Sequence, residues 1–316
     1  MATSNGAIAI LSELIILGSG CSSGVPTPRC LLLPADPPCL VCRSALARPP
    51  ESNRNYRCNT SLLIKFVDES SQAKYIQIDA GKNFKEQVLR WFTSYQIPYV
   101  DAVILTHEHA DAILGLDDIR GIQPVNHFNL IEPTPVFLSK HSMESVAAKF
   151  PYLMQKILKE GQEIRRVAQL DWKIIDDKLG ASFDAAGLTF SPLPVMHGED
   201  YICLGFLFGR REKVAYISDI SRFPESTEIA ISKRGAGEVD LLILDTLYKV
   251  GPHNTHFCLP ETLDAIKRIQ PKRALLVGMT HEFDHETDNA YLRKWSSREG
   301  IDVQLAYDGQ RITIDL

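Results

Sequence analysis

The chain has 316 residues, 45% of them hydrophobic, which is enough for one large domain or two ordinary ones with filled cores. Its 39 acidic and 34 basic residues give a net charge of -5, so a nucleic-acid partner is disfavoured, although a local basic patch stays compatible with one. Seven cysteines, an odd number, argue against a disulfide framework and for reduced thiols or metal ligation. This composition excludes a fibrous or a disordered protein.

We expect no targeting signal in the N-terminal residues. The first basic residue is Arg29, so the positive segment of a signal peptide and the Arg-rich face of a mitochondrial presequence are both missing. No stretch approaches the ~18 uninterrupted apolar residues that span a membrane. We therefore expect a protein of the cytoplasm, or also of the nucleus, that does not bind membranes.

Residues 1–13 are predicted to form a tail, and residues 14–316 a single domain with a Cys-containing loop at 21–59. The predicted strands are Leu14–Leu17, Ser61–Val67, Tyr75–Ile78, Ala102–Leu105, Val136–Leu138, Leu188–Leu193, Cys203–Phe208, Val214–Ile217, Leu241–Leu244, Ala274–Val277 and Val303–Ala306. The predicted helices are Asn83–Ser94, Ser142–Lys159, Pro260–Ile269 and Thr287–Arg298. Because strands and helices alternate, we expect sheet layers covered by helices.

A motif rich in metal-ligand side chains follows the strand that ends at Leu105. His107 and His109 are two residues apart, a spacing that points both imidazoles the same way in an extended chain, and Asp111 follows. Two imidazoles and a carboxylate suit zinc or another divalent ion. For the two histidines alone, an exposed polar turn is an equally good interpretation.

Other polar residues strengthen the metal interpretation because each follows an apolar strand. Strand ends of an α/β sheet gather at one rim, where loops form sites. We expect Asp79 to orient a ligand histidine without binding the metal itself. The residues at strand ends are Asp79, His197, Asp219, Asp245 and His281.

Together these motifs resemble those of the metallo-β-lactamase superfamily. The resemblance runs from about Leu14 to the C-terminus and rests on Ile-Asp-Ala-Gly81, on His-x-His-x-Asp111, and on the later His, Asp and His at strand ends. Within the superfamily the chain is most similar to the phosphodiesterases related to the cyclic-phosphate enzyme of bacterial phosphonate breakdown. The resemblance implies an αββα four-layered sandwich with the metals at one edge of the two sheets.

Carried over to this sequence, the resemblance implies two active-site metals, zinc or manganese. One ion would be bound by His107, His109, His197 and Asp219, and a second by Asp111, Asp219 and His281. The family usually has a further histidine directly after the aspartate, and here that position is Ala112. We therefore expect the second ion to bind weakly, and a one-metal enzyme is equally allowed.

The implied chemistry is hydrolysis. A bound ion lowers the pKa of its water to ~7 and so supplies hydroxide at neutral pH. Asp111 would orient this nucleophile, and His256 matches a histidine that contacts the phosphate and protonates a leaving group in the similar phosphodiesterases. His253 is a competitor for that role, and a solvated loop histidine is the other interpretation of either residue.

The Pro-rich loop at 21–59 contains three cysteines that indicate a structural zinc site. Cys39 and Cys42 have the two-residue gap common in zinc sites, and Cys30 adds a third sulfur. A redox-active pair and free thiols are the alternatives. The similar phosphodiesterases complete such a site with a histidine just after the last active-site histidine, which points to His285, although an ungapped match falls on Asp284.

The sequence therefore predicts a metal-dependent hydrolase of a small anionic substrate, either a phosphodiester or a cyclic phosphate. A thioester or lactone hydrolase of the same fold is the first alternative. Transfer-RNA processing would need a basic protruding arm that the sequence lacks, and a catalytically impaired metal-binding module is the alternative outside enzymology. A homodimer is compatible with all of these.

Overall fold

Two sheets form the centre of the molecule, which is a computed structural model describing residues 11–68, 70–125, 127, 131–154, 167–235 and 237–316. The first sheet contains, in spatial order, β14 (Arg311–Ile314), β1 (Ser12–Gly18), β2 (Ser61–Val67), β3 (Ala73–Ile78), β4 (Ala102–Ile104), β5 (Thr134–Leu138) and β6 (Leu170–Ile174). The second contains β13 (Asp302–Leu305), β12 (Arg273–Val277), β11 (Leu241–Asp245), β10 (Val214–Ile217), β9 (Ile202–Phe208), β8 (Leu188–Met196) and β7 (Phe183–Ala185).

Helices cover the outer faces of both sheets. The described helices are α1 (Pro28–Leu32), α2 (Leu40–Leu46), α3 (Phe84–Gln87), α4 (Thr93–Tyr95), α5 (Ala110–Ile113), α6 (Lys140–Lys149), α7 (Glu225–Ile231), α8 (Leu259–Ile269) and α9 (His285–Glu299). A π-helical turn, Val88–Phe92, joins α3 to α4. None of the described helices has the length and apolar character needed to cross a membrane.

Three apolar clusters separate the layers. Phe190 and Phe206 of the second sheet pack against Ile64 of the first in the central cluster. The outer face of the first sheet packs on residues such as Trp91, and the outer face of the second on residues such as Trp295 of α9. The central strands β4, β10 and β11 bury side chains on both faces, as strands between two layers must, whereas the edge strands β13 and β14 alternate exposed and buried side chains. The predicted αββα sandwich is confirmed.

Strand direction places the strand-end residues at one rim. Strands β3 to β6 run parallel in the first sheet, and β10 to β13 run parallel in the second. The carboxyl ends of parallel strands meet at one edge, where ligands bind in open α/β sheets. The chain segments that follow β3, β4, β10 and β11 therefore converge, as the sequence predicts.

The sequence missed three short strands, β6, β7 and β14. Of these, β14 has only four residues with alternating exposed and buried side chains, and β6 exposes its last two residues. Neither contains the continuous apolar run by which the other strands were predicted. The predicted helix Ser142–Lys159 was too long, because α6 ends at Lys149 and a separate 3₁₀ turn, Pro151–Leu153, follows it. Residues 155–159 of that prediction lie outside the described part of the chain, as do residues 1–10 of the predicted tail.

The loop at 21–59 contains regular structure and a small apolar core. It contains the helices α1 and α2, and Val25, Val41, Cys42 and Ala45 form a small apolar cluster of their own. Behind this cluster Arg57, only 1% exposed, donates from Nη2 to the carbonyl of Phe283 at 2.9 Å. The loop is thereby fastened to the segment that follows β12.

Candidate active site

The His-x-His-x-Asp motif begins just beyond β4 and runs into α5. The backbone is extended at His109, which is the N-cap of α5, and the rings of His107 and His109 lie with their centroids 4.5 Å apart. Asp111 follows in the first turn of α5. This turn packs against the segment after β3, because a Cβ atom on Gly81 would lie 1.7 Å from the carbonyl oxygen of Asp111. Only glycine permits that approach.

Asp79 orients His107 through an intermediate hydroxyl. Asp79, 2% exposed, accepts hydrogen bonds from the amide of Thr106 at 2.9 Å and from its hydroxyl at 2.8 Å. The Thr106 oxygen lies 2.8 Å from Nδ1 of His107. With the hydroxyl hydrogen directed at Asp79, Nδ1 carries the imidazole proton and donates it, which leaves the Nε2 lone pair free. Such an arrangement fixes the tautomer of a metal-binding histidine.

His197, which follows β8, is oriented in the same way. Its Nδ1 donates to the carbonyl oxygen of Thr255 at 2.6 Å, so its Nε2 carries the lone pair. That Nε2 lies 3.3 Å from Nδ1 of His109. The potential ligand nitrogens of His107, His109 and His197 all lie within 4.8 Å of one another.

This cluster has the properties of a divalent-metal site. Burial lowers the pKa of His107 to about 4 and also lowers the pKa of His197, so both are neutral at physiological pH. Nε2 of His107 is buried without a hydrogen-bond partner among the described residues. Converging neutral imidazoles with free lone pairs are the donors that zinc and similar ions prefer. The residues present therefore fit one such ion.

A second cluster shares His197 and adds Asp219 and His256. Burial alone would raise the pKa of Asp219, but the neighbouring imidazoles of His107, His256 and His197 outweigh it and lower this pKa to about 2. Asp219 follows β10, and Asp245 is the last residue of β11. Asp219 therefore provides a carboxylate next to the three imidazoles.

His256 is paired with a buried carboxylate. Its Nδ1 lies 2.8 Å from Oδ2 of Asp245, which is fully buried, and 3.8 Å from Oδ1 of Asp219. Burial lowers the pKa of His256, but the charge and hydrogen bond of Asp245 prevail and raise it to about 9. In the protein without metal, His256 is thus a protonated imidazole directed at the same site.

Two sequence-based assignments are corrected by the structure. His281 does not join Asp111 and Asp219, because its Nδ1 lies 3.3 Å from Sγ of Cys39 and 3.5 Å from Sγ of Cys30. His285 does not join the cysteines, because it is the first residue of α9 and its Nε2 accepts a hydrogen bond from Asn289 at 3.1 Å. The histidine of the cysteine cluster is therefore His281.

The sequence-based assignment placed the last active-site position three residues too far along the chain. If His281 completes the cysteine cluster, the position three residues before it corresponds to the last active-site histidine of the similar phosphodiesterases. That position is Gly278, which lines the active-site cavity together with Asp111 and Ala112. The same shift removes the mismatch at Asp284, which is instead the N-cap of α9.

The cysteine cluster itself was predicted and is present in the structure. One ligand atom from each of Cys30, Cys39, Cys42 and His281 lies within 4.8 Å of the others, and no cysteine forms a disulfide. The amides of Thr27 and Cys42 each donate to a cysteine sulfur at 3.4 Å. Burial raises the pKa of Cys39, but the Cys42 amide and His281 prevail and lower it to about 7. This is a donor set that suits zinc.

Sequence reasoning also missed two side chains of the site. Thr106 links Asp79 to His107, and its place directly before the first histidine was the available signal. Tyr201 stacks on His109 with ring centroids 5.2 Å apart and planes 9° apart, and nothing in the sequence marks it. His253, the competitor of His256, is exposed, and its ring centroid lies 5.5 Å from that of His256.

A family model described as the β-lactamase superfamily domain matches residues 74–279, which is more than half of the chain. The chain belongs to the metallo-β-lactamase superfamily. The matched region includes the motifs at Asp79, His107, His197, Asp219 and His256. Divalent-metal binding and a hydrolase activity are the general properties of this fold, which agrees with the clusters described above.

Among solved structures, the chain is similar to one titled as a new diphosphatase from the PhnP family. The two share 28% identity with a TM-score of 0.74, over 96% of this chain and 98% of that one. Zinc-bound PqqB from Methylobacterium extorquens shares 17% identity with a TM-score of 0.69, over 96% of this chain and 100% of that one. Human tRNase Z, short form, shares 14% identity with a TM-score of 0.57, over 96% and 100%. The last two show the fold alone.

A curated relative from Porphyromonas gingivalis (strain ATCC BAA-308 / W83) bears the name octanoyltransferase. It is 31% identical over 267 residues, which are 84% of this chain and 46% of the relative. The chain thus spans less than half the length of that protein. The name therefore describes a larger protein than the part that is matched.

Proposed function

We propose that this protein hydrolyses a small phosphodiester or cyclic phosphate with one divalent ion at the His107 cluster. The observation that carries the proposal is the convergence of three potential metal-ligand imidazoles on a space that a fourth histidine, held by a buried carboxylate, also faces. His107, His109 and His197 converge as metal ligands, and His256 faces the same space while held by Asp245. A phosphoryl substrate needs both an electrophilic centre and a proton donor for its leaving group.

The residues of the site would have separate roles in metal binding, water orientation and proton donation. His107, His109, His197 and Asp219 would hold the ion, which can be zinc or manganese and would supply a water of lowered pKa. Asp111 lies beside this cluster and would orient the attacking water. His256 would donate the proton to the leaving oxygen, and Asp245 keeps Nδ1 of His256 engaged so that the other ring nitrogen can face the substrate.

Two further assignments belong to the same proposal. Cys30, Cys39, Cys42 and His281 would hold a structural zinc, which fastens the loop at 21–59 to the segment after β12. Residues 14–316 would act as one domain, in the cytoplasm, with a small anionic substrate. The similar structure at 28% identity is that of a diphosphatase, which supports phosphoryl chemistry and adds a phosphoanhydride to the substrates to be tested.

The test is hydrolysis of bis(p-nitrophenyl) phosphate by protein loaded with zinc or manganese. We expect turnover that stops in the chelated protein and falls by about 10² or more in Asp111→Asn. Asp118→Asn is the matched control, because Asp118 is an exposed carboxylate on the same segment. Complete inactivity of the wild type with both metals would contradict the proposal and favour a metal-binding module.

A thioester hydrolase is the second candidate, favoured by the relative named octanoyltransferase. Hydrolysis of an acyl thioester needs the same ion. Its leaving group is a thiolate, and because the pKa of a thiol is about 8.5, this group leaves with little help from a proton donor. An octanoyl thioester and the phosphodiester should be assayed at equal metal concentration. Preference for the thioester, with turnover unaffected in His256→Ala, would select this candidate instead.

A further inference from the structure

The cavity beside Asp111 has the size of a single water molecule. Its volume is about 10 Å³, and the residues around it include Asp111, Ala112, Ser218, Asp219, His256 and Gly278. A space of this volume admits about one water, provided that two to four polar groups can bond to it. The same space is where the sequence resemblance implies a second metal ion.

His107 also lines this cavity but belongs to the first metal cluster, and the other side chains around the cavity do not fit a second ion. Ala112 and Gly278 provide no donor atom. Nδ1 of His256 lies 3.8 Å from Oδ1 of Asp219, but it is engaged by Oδ2 of Asp245 at 2.8 Å. Each potential metal cluster in the described part of the chain leaves Asp111 out, whereas Asp219 is grouped with His197 and His256. A divalent ion here would keep almost its whole hydration shell.

Nothing behind Gly278 makes up for the missing ligand. Gly278 has φ +77°, and a Cβ at this position would lie 2.3 Å from Oδ1 of Asp245, so a side chain cannot be accommodated without rearrangement. Asp245 itself does not line the cavity. Its Oδ2 is engaged by Nδ1 of His256 and by the amide of Ile220 at 3.2 Å.

The polar groups that remain suit a water molecule. Ser218, 3% exposed, has a hydroxyl that makes no hydrogen bond in the described part of the structure. Together with Asp111 and Asp219 it offers one hydroxyl and two carboxylates at the cavity wall. A water can donate to both carboxylates and accept from the hydroxyl, which satisfies the number of partners that buried waters require.

We propose that this cavity is a water site and not a second metal site, so that the enzyme works with one active-site ion and Asp111 is a hydrogen-bond acceptor for the attacking water. The role of Asp111 towards an attacking water rests on the proposed function, whereas the number of bound ions does not depend on it. It also assigns Ser218 as the residue that completes the water site.

Metal counting tests the proposal directly. Protein with zinc in the cysteine cluster is exchanged with excess Mn²⁺, which prefers oxygen and nitrogen ligands to thiolates. We expect one tightly held Mn²⁺ per chain, with the electron paramagnetic resonance spectrum of an isolated ion. Two tightly held Mn²⁺ ions, or an exchange-coupled spectrum, would overturn the proposal.

Variants separate ligation from water binding. Asp111→Asn should hold the same single Mn²⁺ as the wild type and as the control Asp118→Asn, while its turnover falls about 10²-fold. Loss of a bound ion in Asp111→Asn would show that Asp111 is a ligand and would contradict the proposal. Ser218→Ala should keep the metal and lose turnover roughly 10-fold, and unchanged turnover would contradict its assignment.

The outcomes for the metal count and for the proposed function are distinguishable. If one Mn²⁺ is bound and no phosphodiester is hydrolysed, the proposed function fails and the one-ion assignment stands. If two ions are bound and the phosphodiester is hydrolysed, the opposite holds. Neither result requires knowledge of the physiological substrate.

Discussion

The active-site histidine cluster and the cysteine cluster are built in different ways. In the first, His107 and His197 follow strands, and each has its Nδ1 fixed by a threonine oxygen of the surrounding fold. In the second, three sulfurs come from a loop of short helices and only His281 belongs to the sandwich. The first cluster is preorganised by the sheets, whereas the second holds the loop in place. Metal loss should therefore affect activity at one and stability at the other.

The largest expected effect is on turnover at the first cluster. His256→Ala removes the proton donor and should lower turnover by about 10²–10⁴-fold without changing the metal content. The comparison is with His141→Ala, since the side chain of His141 is 67% exposed. Metal analysis and bis(p-nitrophenyl) phosphate hydrolysis on the same samples give both numbers. A drop in metal content together with turnover would make His256 a ligand.

The next effect is on stability at the second cluster. Cys39→Ser should destabilise the protein by about 4 kcal/mol if free zinc exceeds its dissociation constant by ~1,000-fold, because binding to the folded state alone has that value. Cys258→Ser is the matched control, since Cys258 is the N-cap of α8 and serine is a good N-cap. Denaturant unfolding measures both variants. Equal stability of the two would remove the structural role of the metal.

A smaller effect is expected where orientation alone is changed. Thr106→Val keeps the shape of the side chain but breaks the link from Asp79 to His107, and such changes weaken metal affinity by about 10–100-fold. Thr227→Val is the control, because Thr227 is fully buried and its hydroxyl bonds the carbonyl of Pro194 and not a histidine. Competition with a chelator measures affinity. Equal affinity in both variants would mean that Thr106 does not orient the ligand.

The clustering of polar residues at strand ends could be predicted from the sequence because their positions follow from regular structure. The residue that follows the last buried side chain of a parallel strand lies at the rim of the sheet. His107 and Asp219 could therefore be recognised from the apolar strands that precede them. The cysteines could be predicted because their spacing is local. Strands β6 and β14 lacked a long apolar run, and the sequence does not mark them.

The choice between His281 and His285 could not be made from the sequence. It depends on how the segment after β12 turns towards the cysteine loop. The two residues in contact, His281 and Cys39, are 242 positions apart in the sequence. Both histidines follow the same strand. The glycine at position 278 becomes informative only when the contact between His281 and Cys39 has fixed the alignment with the similar phosphodiesterases.

The corrected role of His285 gives the smallest of the predicted effects. Burial and the nearby charges of Arg57 and Arg54 lower the pKa of His285 to about 4, while the unfolded chain has the ordinary value of 6.5. The folded state therefore binds fewer protons between these values, so stability is complete above pH 6.5 and decreases as the pH falls towards 4. The contribution lost at pH 5.5 is about 1 kcal/mol.

His285→Gln should remove this part of the acid sensitivity, because glutamine does not titrate and can still accept from Asn289. The difference in unfolding free energy between pH 7 and pH 5.5 should be about 1 kcal/mol smaller than in the wild type. A metal-bound His285 would behave differently: its replacement would lower stability at pH 7 by the metal contribution and mimic Cys39→Ser. The two variants thus decide which histidine belongs to the cysteine cluster without a further structure.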